Sequence, residues 1–379
     1  MVAAANDCSV MNPDCDGHGV CMSNGNCRCF YGFSARNQIG TDCSLNSLDE
    51  PNTAAMMNAC VIVGCVLYSI IFPFVVWRLI IELKMSPSSA EKSVISKVTK
   101  LSLACLTIVS IMCLLTCFDF FAVYHRMPVK LYFVLYYGRD WILPVCFSAT
   151  LSHWVELYQY TLKSLRQQEM IKKINVNFSA TLSVEDVLDR ITFLQRFRIP
   201  FAICCVITVC LWISFTAAYF HSRDPTGLSR FAMGYSAFHA ALWTCFAFAF
   251  LFYGLKLLRI LPASIGPKIR KMTFQLCFIV IICLLDKVAS LVYFSFYRAS
   301  NVANYQTGIR RLINVIMIWL VVVALLELYM PVHQYKKWLR LSALWDSSRS
   351  AGASNSNSGT NNSMSMEVMK EPAPLHGGV

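Results

Sequence analysis

Seven long apolar stretches constrain this chain more than any other feature. A helix needs about 20 mainly apolar residues to cross a hydrocarbon core. Residues 54–77, 199–220 and 231–255 qualify without one charged side chain. Residues 101–124 carry only Asp119, 272–297 carry Asp286 and Lys287, and 312–332 carry Glu327. Residues 131–160 are apolar but interrupted by Arg139, Asp140 and Glu156, which makes this the weakest run. The runs are continuous rather than alternating, so they do not fit a membrane-spanning barrel. The expected fold is an all-α integral membrane protein, a seven-transmembrane helix bundle. An odd number of spans puts the two ends of the chain on opposite sides.

Ahead of the first run lies a segment of different chemistry. Residues 1–50 hold Cys8, Cys15, Cys21, Cys27, Cys29 and Cys43. A segment this short cannot bury an adequate core and needs covalent staples. Six cysteines allow fifteen pairings, so spacing alone leaves the pairing open. A C-x-C pair such as Cys27 and Cys29 can also ligate zinc. The stretch CDGHGVCMSNGNCRCFYGF, with Gly17-His18-Gly19, the C-x-C and Gly32-Phe33, resembles an epidermal-growth-factor-like module. That resemblance implies the pairs Cys8–Cys21, Cys15–Cys27 and Cys29–Cys43. The calcium-binding variant of that module needs more residues than lie between Cys21 and Cys27, so no calcium site is expected.

Disulfides form outside the cytosol, which places the N-terminus outside or in a lumen. Basic residues give the same orientation independently. With the N-terminus outside, the inner regions hold 21 Lys and Arg and the outer regions 10. The net charge of +12 is therefore a membrane-topology signal and not a nucleic-acid surface. The start, MVAAANDC, has neither the basic residues nor the apolar stretch of a signal peptide. Either the first span carries the acidic segment across, or a signal lies upstream. Three regions follow: a module over 1–50, a helix domain over 51–335 and a cytoplasmic tail over 336–379. Within the inner regions, 183–197 and 335–345 read as amphipathic helices that lie on anionic lipid or extend a span. Residues 347–365 are Ser/Asn/Gly-rich and read as disordered. The sequon at Asn177 faces the cytosol and is expected to stay unmodified.

Ionisable groups inside spans are costly and are functional candidates. Asp286 and Lys287 are the deepest. Neighbours on a helix point about 100° apart, so each is expected to meet a partner on another helix. The group serves as an ion path, as a switch or as a polar lock on helix register. Asp119 and the Arg139-Asp140 pair lie toward span ends and read as interface residues. His153 and Glu156 share a helix face, and with His239 they could form a zinc site. The seventh span lacks the further histidine that seven-span hydrolases use, so no metal, cofactor or catalytic residue is assigned. The later cysteines sit in apolar runs and read as small hydrophobes.

The third run ends in Trp154-x-Glu156-x-Tyr158. The fifth ends in Phe250-Leu251-x-Tyr253-Gly254-x-Lys256-Leu257. These patterns, with Lys287 in the sixth run, resemble the plant tobamovirus-multiplication family of seven-span proteins over about residues 55–332. That resemblance implies a vacuolar or endomembrane scaffold for small GTPases. The Glu156-Leu157-Tyr158 triplet lacks the arginine of rhodopsin-like receptors. The expected function is a non-enzymatic, receptor-like membrane adaptor, in the plasma membrane or an endomembrane. It takes an unknown exterior ligand through the module and recruits a cytosolic protein, a small GTPase by the resemblance, through Glu156, Tyr158, Lys256 and Arg259. Membrane lipids are its other partner. The rival readings are a G-protein-coupled receptor, a transporter of ions or solutes, and an intramembrane hydrolase.

Overall fold

In the computed structural model, the described residues are Cys8, 14–36, 41–49, 51–84, 94–174, 198–260, 266–296 and 303–330. The amphipathic segments at 183–197 and 335–345, the sequon at Asn177 and the tail beyond 346 lie outside them.

Among the described residues, seven long helices follow the N-terminal segment: α1 (Pro51–Lys84), α2 (Val94–Phe118), α3 (Val129–Ile174), α4 (Arg198–His221), α5 (Pro225–Ile260), α6 (Gly266–Phe296) and α7 (Ala303–Tyr329). Six of them are long and apolar enough to cross a membrane, which marks a multi-pass membrane protein. The exception is α3, the helix that contains Arg139, Asp140 and Glu156. The side-chain distribution suits a lipid solvent. Phe274, Ile199 and Phe248 are 75%, 73% and 69% exposed, whereas Arg139 and Arg311 are 3% and 4% exposed. In water this arrangement would be unstable, because apolar area faces solvent and charge faces the core.

Two glycines let helices approach closely. A Cβ on Gly64 of α1 would lie 2.5 Å from Cys117 Sγ of α2. A Cβ on Gly254 of α5 would lie 2.3 Å from Thr273 Cγ2 of α6. Phe250 and Leu257, which flank Gly254 in the fifth-span pattern, are fully buried. Phe250 meets Phe147 and Trp154 of α3, so packing of α5 on α6 at Gly254 and on α3 at Phe250 accounts for these members of the pattern.

The N-terminal segment is a disulfide-linked module of two antiparallel hairpins. β1 (Gly19–Cys21) pairs with β2 (Cys27–Cys29), and Gly19 lies opposite Cys29. β3 (Phe33–Ser34) pairs with β4 (Leu45–Asn46). Disulfides join Cys8 to Cys21, Cys15 to Cys27 and Cys29 to Cys43, the three pairs that the growth-factor resemblance implies. The sulfurs of Cys8, Cys15 and Cys27 lie within 4.8 Å of one another. All three are oxidised, so they offer no thiolates for zinc.

The module is seated on the bundle. Its contacts fall on the α2–α3 turn, the start of α3 and the end of α4. Phe30 packs its ring against Phe133, Tyr219 and Phe220. The Arg28 guanidinium donates to the Tyr219 carbonyl and lies 5.0 Å from that ring. Asn46 Nδ2 donates to the Val123 carbonyl at 2.7 Å, and the Ser23 amide donates to the Arg223 carbonyl at 3.1 Å. Asp119 shapes the receiving surface. Its carboxylate accepts from the amides of Tyr124, Arg126 and Met127 at 3.0, 2.7 and 2.9 Å. The sequence places Asp119 toward the outer end of its span, and the structure has it just past the end of α2. There it closes a turn whose orphan amides need an acceptor.

Candidate functional site

The site forms where charged residues of α3, α6 and α7 converge beneath the module. Each is an expensive residue to place among apolar helices, and Arg139, Asp140, Asp286 and Lys287 each meet a polar group on another helix. Lys287 Nζ lies 2.7 Å from Asp140 Oδ1 of α3 and 3.5 Å from Asp286 Oδ2. Asp286 in turn accepts from Asn314 Nδ2 of α7. The Asn314 carbonyl oxygen accepts from Arg139, and from Arg311 at 2.8 Å. Asp140 also accepts from the Tyr235 hydroxyl at 3.3 Å, which ties α5 into the group.

Two guanidiniums share one ring. Arg139 lies 4.3 Å and Arg311 3.4 Å from the centroid of Tyr136. Among the described residues, no carboxylate ion-pairs with either of them, and the Nε of each is buried without a hydrogen-bond partner. A cavity of about 50 Å³ opens beside this network. Tyr31 of the module, Phe121 of the α2–α3 turn, Asp140, Lys287, Arg310 and Arg311 are among its walls. Arg310 donates to Ser290 Oγ at 2.5 Å.

Sequence reasoning found Asp286 and Lys287 and expected partners on other helices, and the structure supplies Asn314 and Asp140. It treated Arg139 and Asp140 as interface residues, whereas both are buried in the network. It overlooked Arg311, Asn314 and Tyr136. A usable signal was the spacing Arg311-x-x-Asn314, which puts both polar groups on one helix face. The candidate zinc residues separate. His239 binds the carbonyls of Tyr235 and Asp140 through its two ring nitrogens, at 2.9 and 3.2 Å. Among the described residues, His153 and Glu156 form no metal-ligating group with it.

The residues expected to meet a partner lie at the end of the bundle away from the module. Tyr158 stacks edgewise on Tyr253 at 5.9 Å, and Lys256 Nζ lies 5.6 Å from the Tyr158 ring. Arg259 is exposed. Glu156 is buried at 6% exposure, so its carboxylate is not part of the exposed rim.

His18 gives the module a dependence on pH. Its ring lies parallel to Phe33 at 4.0 Å and 5.5 Å from His125 of the α2–α3 turn. Burial, and then the nearby His125, lower its pKa from the ordinary 6.5, while Asp16 pulls weakly the other way. The released ring therefore takes a proton more readily than the docked ring. Docking should be strongest above 6.5, weaken as pH falls below that value, and stop weakening below the docked ring's lowered value. Exchange at the Ser23 amide, taken relative to its intrinsic rate at each pH, should rise from about pH 7.5 to about pH 5.5. His18→Phe, which keeps the stack, should remove that rise. An unchanged pH dependence in His18→Phe would assign it to another group.

Comparison of the chain with protein-family models, with curated proteins and with solved structures finds no match. Likeness to the growth-factor-like module and to the tobamovirus-multiplication family thus rests on the residues quoted above.

Proposed function

We propose that the chain is a receptor-like, seven-span membrane adaptor, with the module outside and the Lys256–Arg259 end in the cytosol. The observation that carries this reading is the seating of the disulfide module over a charged cavity walled by several helices. The contacts also support a seventh crossing. The module touches both the start of α3 and the end of α4, so both lie on its side of the bundle. The apolar, membrane-length α4 runs toward that side and α3 runs away from it, so α3 traverses the same thickness in reverse. Buried partners, rather than an apolar sequence, accommodate its charges. Disulfides favour the oxidising face for the module. The growth-factor resemblance adds a docking function outside, and the tobamovirus-family resemblance adds a small GTPase inside.

A transporter or hydrolase needs a permeation path or a reacting constellation, whereas here the buried charges are tied to one another. The cytosolic rim is the part to test. In cells, a labelling enzyme fused at the C-terminus should mark a GTPase of the Arf-like class. Lys256→Ser with Arg259→Ser should reduce that marking several-fold, because rim charges speed capture of an acidic partner. Adding basic residues within 161–198 should not restore it. Restoration by relocated charge would show attraction to anionic lipid alone and would overturn the adaptor reading.

A further inference from the structure

We propose that His18 of the module and His125 of the α2–α3 turn form a binding site for a divalent transition-metal ion, zinc or copper(II), that clamps the module to the bundle. The site rests on the docking contact and not on the adaptor reading.

Geometry is the first ground. The two rings come from opposite sides of the interface, with centroids 5.5 Å apart and planes inclined at 46°. Zinc binds imidazole nitrogen at about 2.0–2.1 Å, so one tetrahedral ion holds two such nitrogens roughly 3.4 Å apart. A ring nitrogen stands about 1 Å out from its centroid, so facing nitrogens on these two rings can reach that separation. Both residues are already held in place. His18 lies parallel to Phe33 at 4.0 Å, and its carbonyl accepts from the Phe30 amide at 2.8 Å. His125 belongs to the turn whose Tyr124 and Arg126 amides bond to the Asp119 carboxylate. Ligands fixed before the ion arrives lose little entropy when it binds.

Chemistry is the second ground. His18 Nδ1 is buried and, among the described residues, has no hydrogen-bond partner. Such an atom costs stability until something meets it. Imidazole nitrogen suits zinc and copper(II), whereas calcium and magnesium take oxygen. Asp16 lies close enough to act on His18 electrostatically. Its Oδ2 accepts from the Cys43 amide at 3.3 Å, so it counts here as negative charge and not as a ligand. Arg126, next to His125 in the chain, is engaged with α2 and its own turn. It donates to the Phe118 carbonyl at 3.0 Å and lies 4.7 and 5.1 Å from the Phe118 and Tyr124 ring centroids. Two imidazoles leave the other coordination positions to water, which makes an exchangeable site rather than a closed structural one. An ion that needs both rings binds only the docked module and therefore strengthens its seat.

The test uses the purified full chain in lipid nanodiscs, stripped of metal with a chelator, at about pH 7.5, above the ordinary histidine value of about 6.5. Exchange at the Ser23 amide, relative to its intrinsic rate, is followed as zinc sulfate is added. With zinc at about ten times its Kd, exchange should slow about tenfold, since only the docked state binds it. Magnesium sulfate should leave it unchanged. His125→Asn removes one ligand, and asparagine tolerates the positive φ of +56° at this position. His18→Phe removes the other ligand and keeps the stack. Neither variant should respond to zinc. His221→Gln should respond like the parent, because His221 sits at the end of α4 with its Nδ1 on the Ala217 carbonyl at 3.0 Å. Copper(II) at one equivalent gives a readout that does not depend on docking. Its nitrogen hyperfine splitting should show two imidazoles in the parent and in His221→Gln, and one in each of the other variants. No saturable slowing by zinc in the parent, slowing that persists in His125→Asn or His18→Phe, or a one-imidazole copper signal in the parent would each overturn the proposal. GTPase labelling is measured separately and tests the adaptor reading alone.

Discussion

Lys287→Met is expected to be the most damaging single change in the bundle. Among the described residues, its ammonium is the one cation that ion-pairs with both Asp140 and Asp286, at 2.7 and 3.5 Å. Methionine removes the charge but keeps most of the volume, so cavity formation contributes little. Two buried carboxylates then face each other across α3 and α6, with the neutral Tyr235 and Asn314 as hydrogen-bond donors to them. Breaking a buried pair by removing one member costs about 3–5 kcal/mol, since the remaining charge is stranded. A thermal midpoint in nanodiscs should fall by many degrees and expression should drop. Lys287→Met with Asp140→Leu should recover part of the loss, because one of the two stranded carboxylates is removed and Asp286 keeps its bond from Asn314. That recovery separates a polar lock from a switch. A stable Lys287→Met protein that has lost GTPase labelling would identify the pair as a signalling element.

How much of this site could be read from the sequence follows from the solvent. Apolar runs announce helices for a membrane, and the six cysteines announce a stapled module, since both signals are local. Which face of each helix points inward is a different matter. A helix that is apolar all round has no polar face to orient it. Asp286 and Lys287 stood out because they interrupt such a helix. Their partners did not, because Asp140 lies 147 residues away from Lys287. Arg139 and Asn314, 175 residues apart, are linked only through the fold. The two ends of α3 show the same limit. Arg139 and Asp140, near its start, read as interface residues yet are buried, and so is Glu156 beyond its middle. In each case a distant side chain or a neighbouring helix, and not the local pattern, decides exposure.

The seating of the module gives the second large effect, through Gly32. This residue has φ +92°, a region that L side chains rarely adopt. A Cβ added there would lie 2.6 Å from Val123 Cγ1 and 2.9 Å from Phe121 Cβ. The receiving turn has little freedom to yield. Phe121, Ala122 and His125 already hold positive φ, and the Asp119 carboxylate pins the following amides. Gly32→Ala therefore combines about 1–2 kcal/mol of backbone cost with about 1–3 kcal/mol of overpacking. Undocking relieves the overpacking, so the variant should keep its three disulfides and lose its seat. Gly17→Ala is the matched control. Gly17 also has positive φ, at +77°, but a Cβ there meets nothing within 4 Å. Both variants bear the backbone cost, and only Gly32→Ala bears the contact. Hydrogen exchange at the Ser23 amide, which bonds to Arg223 across the interface, reads the difference. Gly32→Ala should exchange there at least tenfold faster than Gly17→Ala, while amides in the core of α3 stay protected. Equal exchange in the two variants would mean that the module is held by its tether to α1 and not by the bundle surface, and the cavity beneath it would then have no lid.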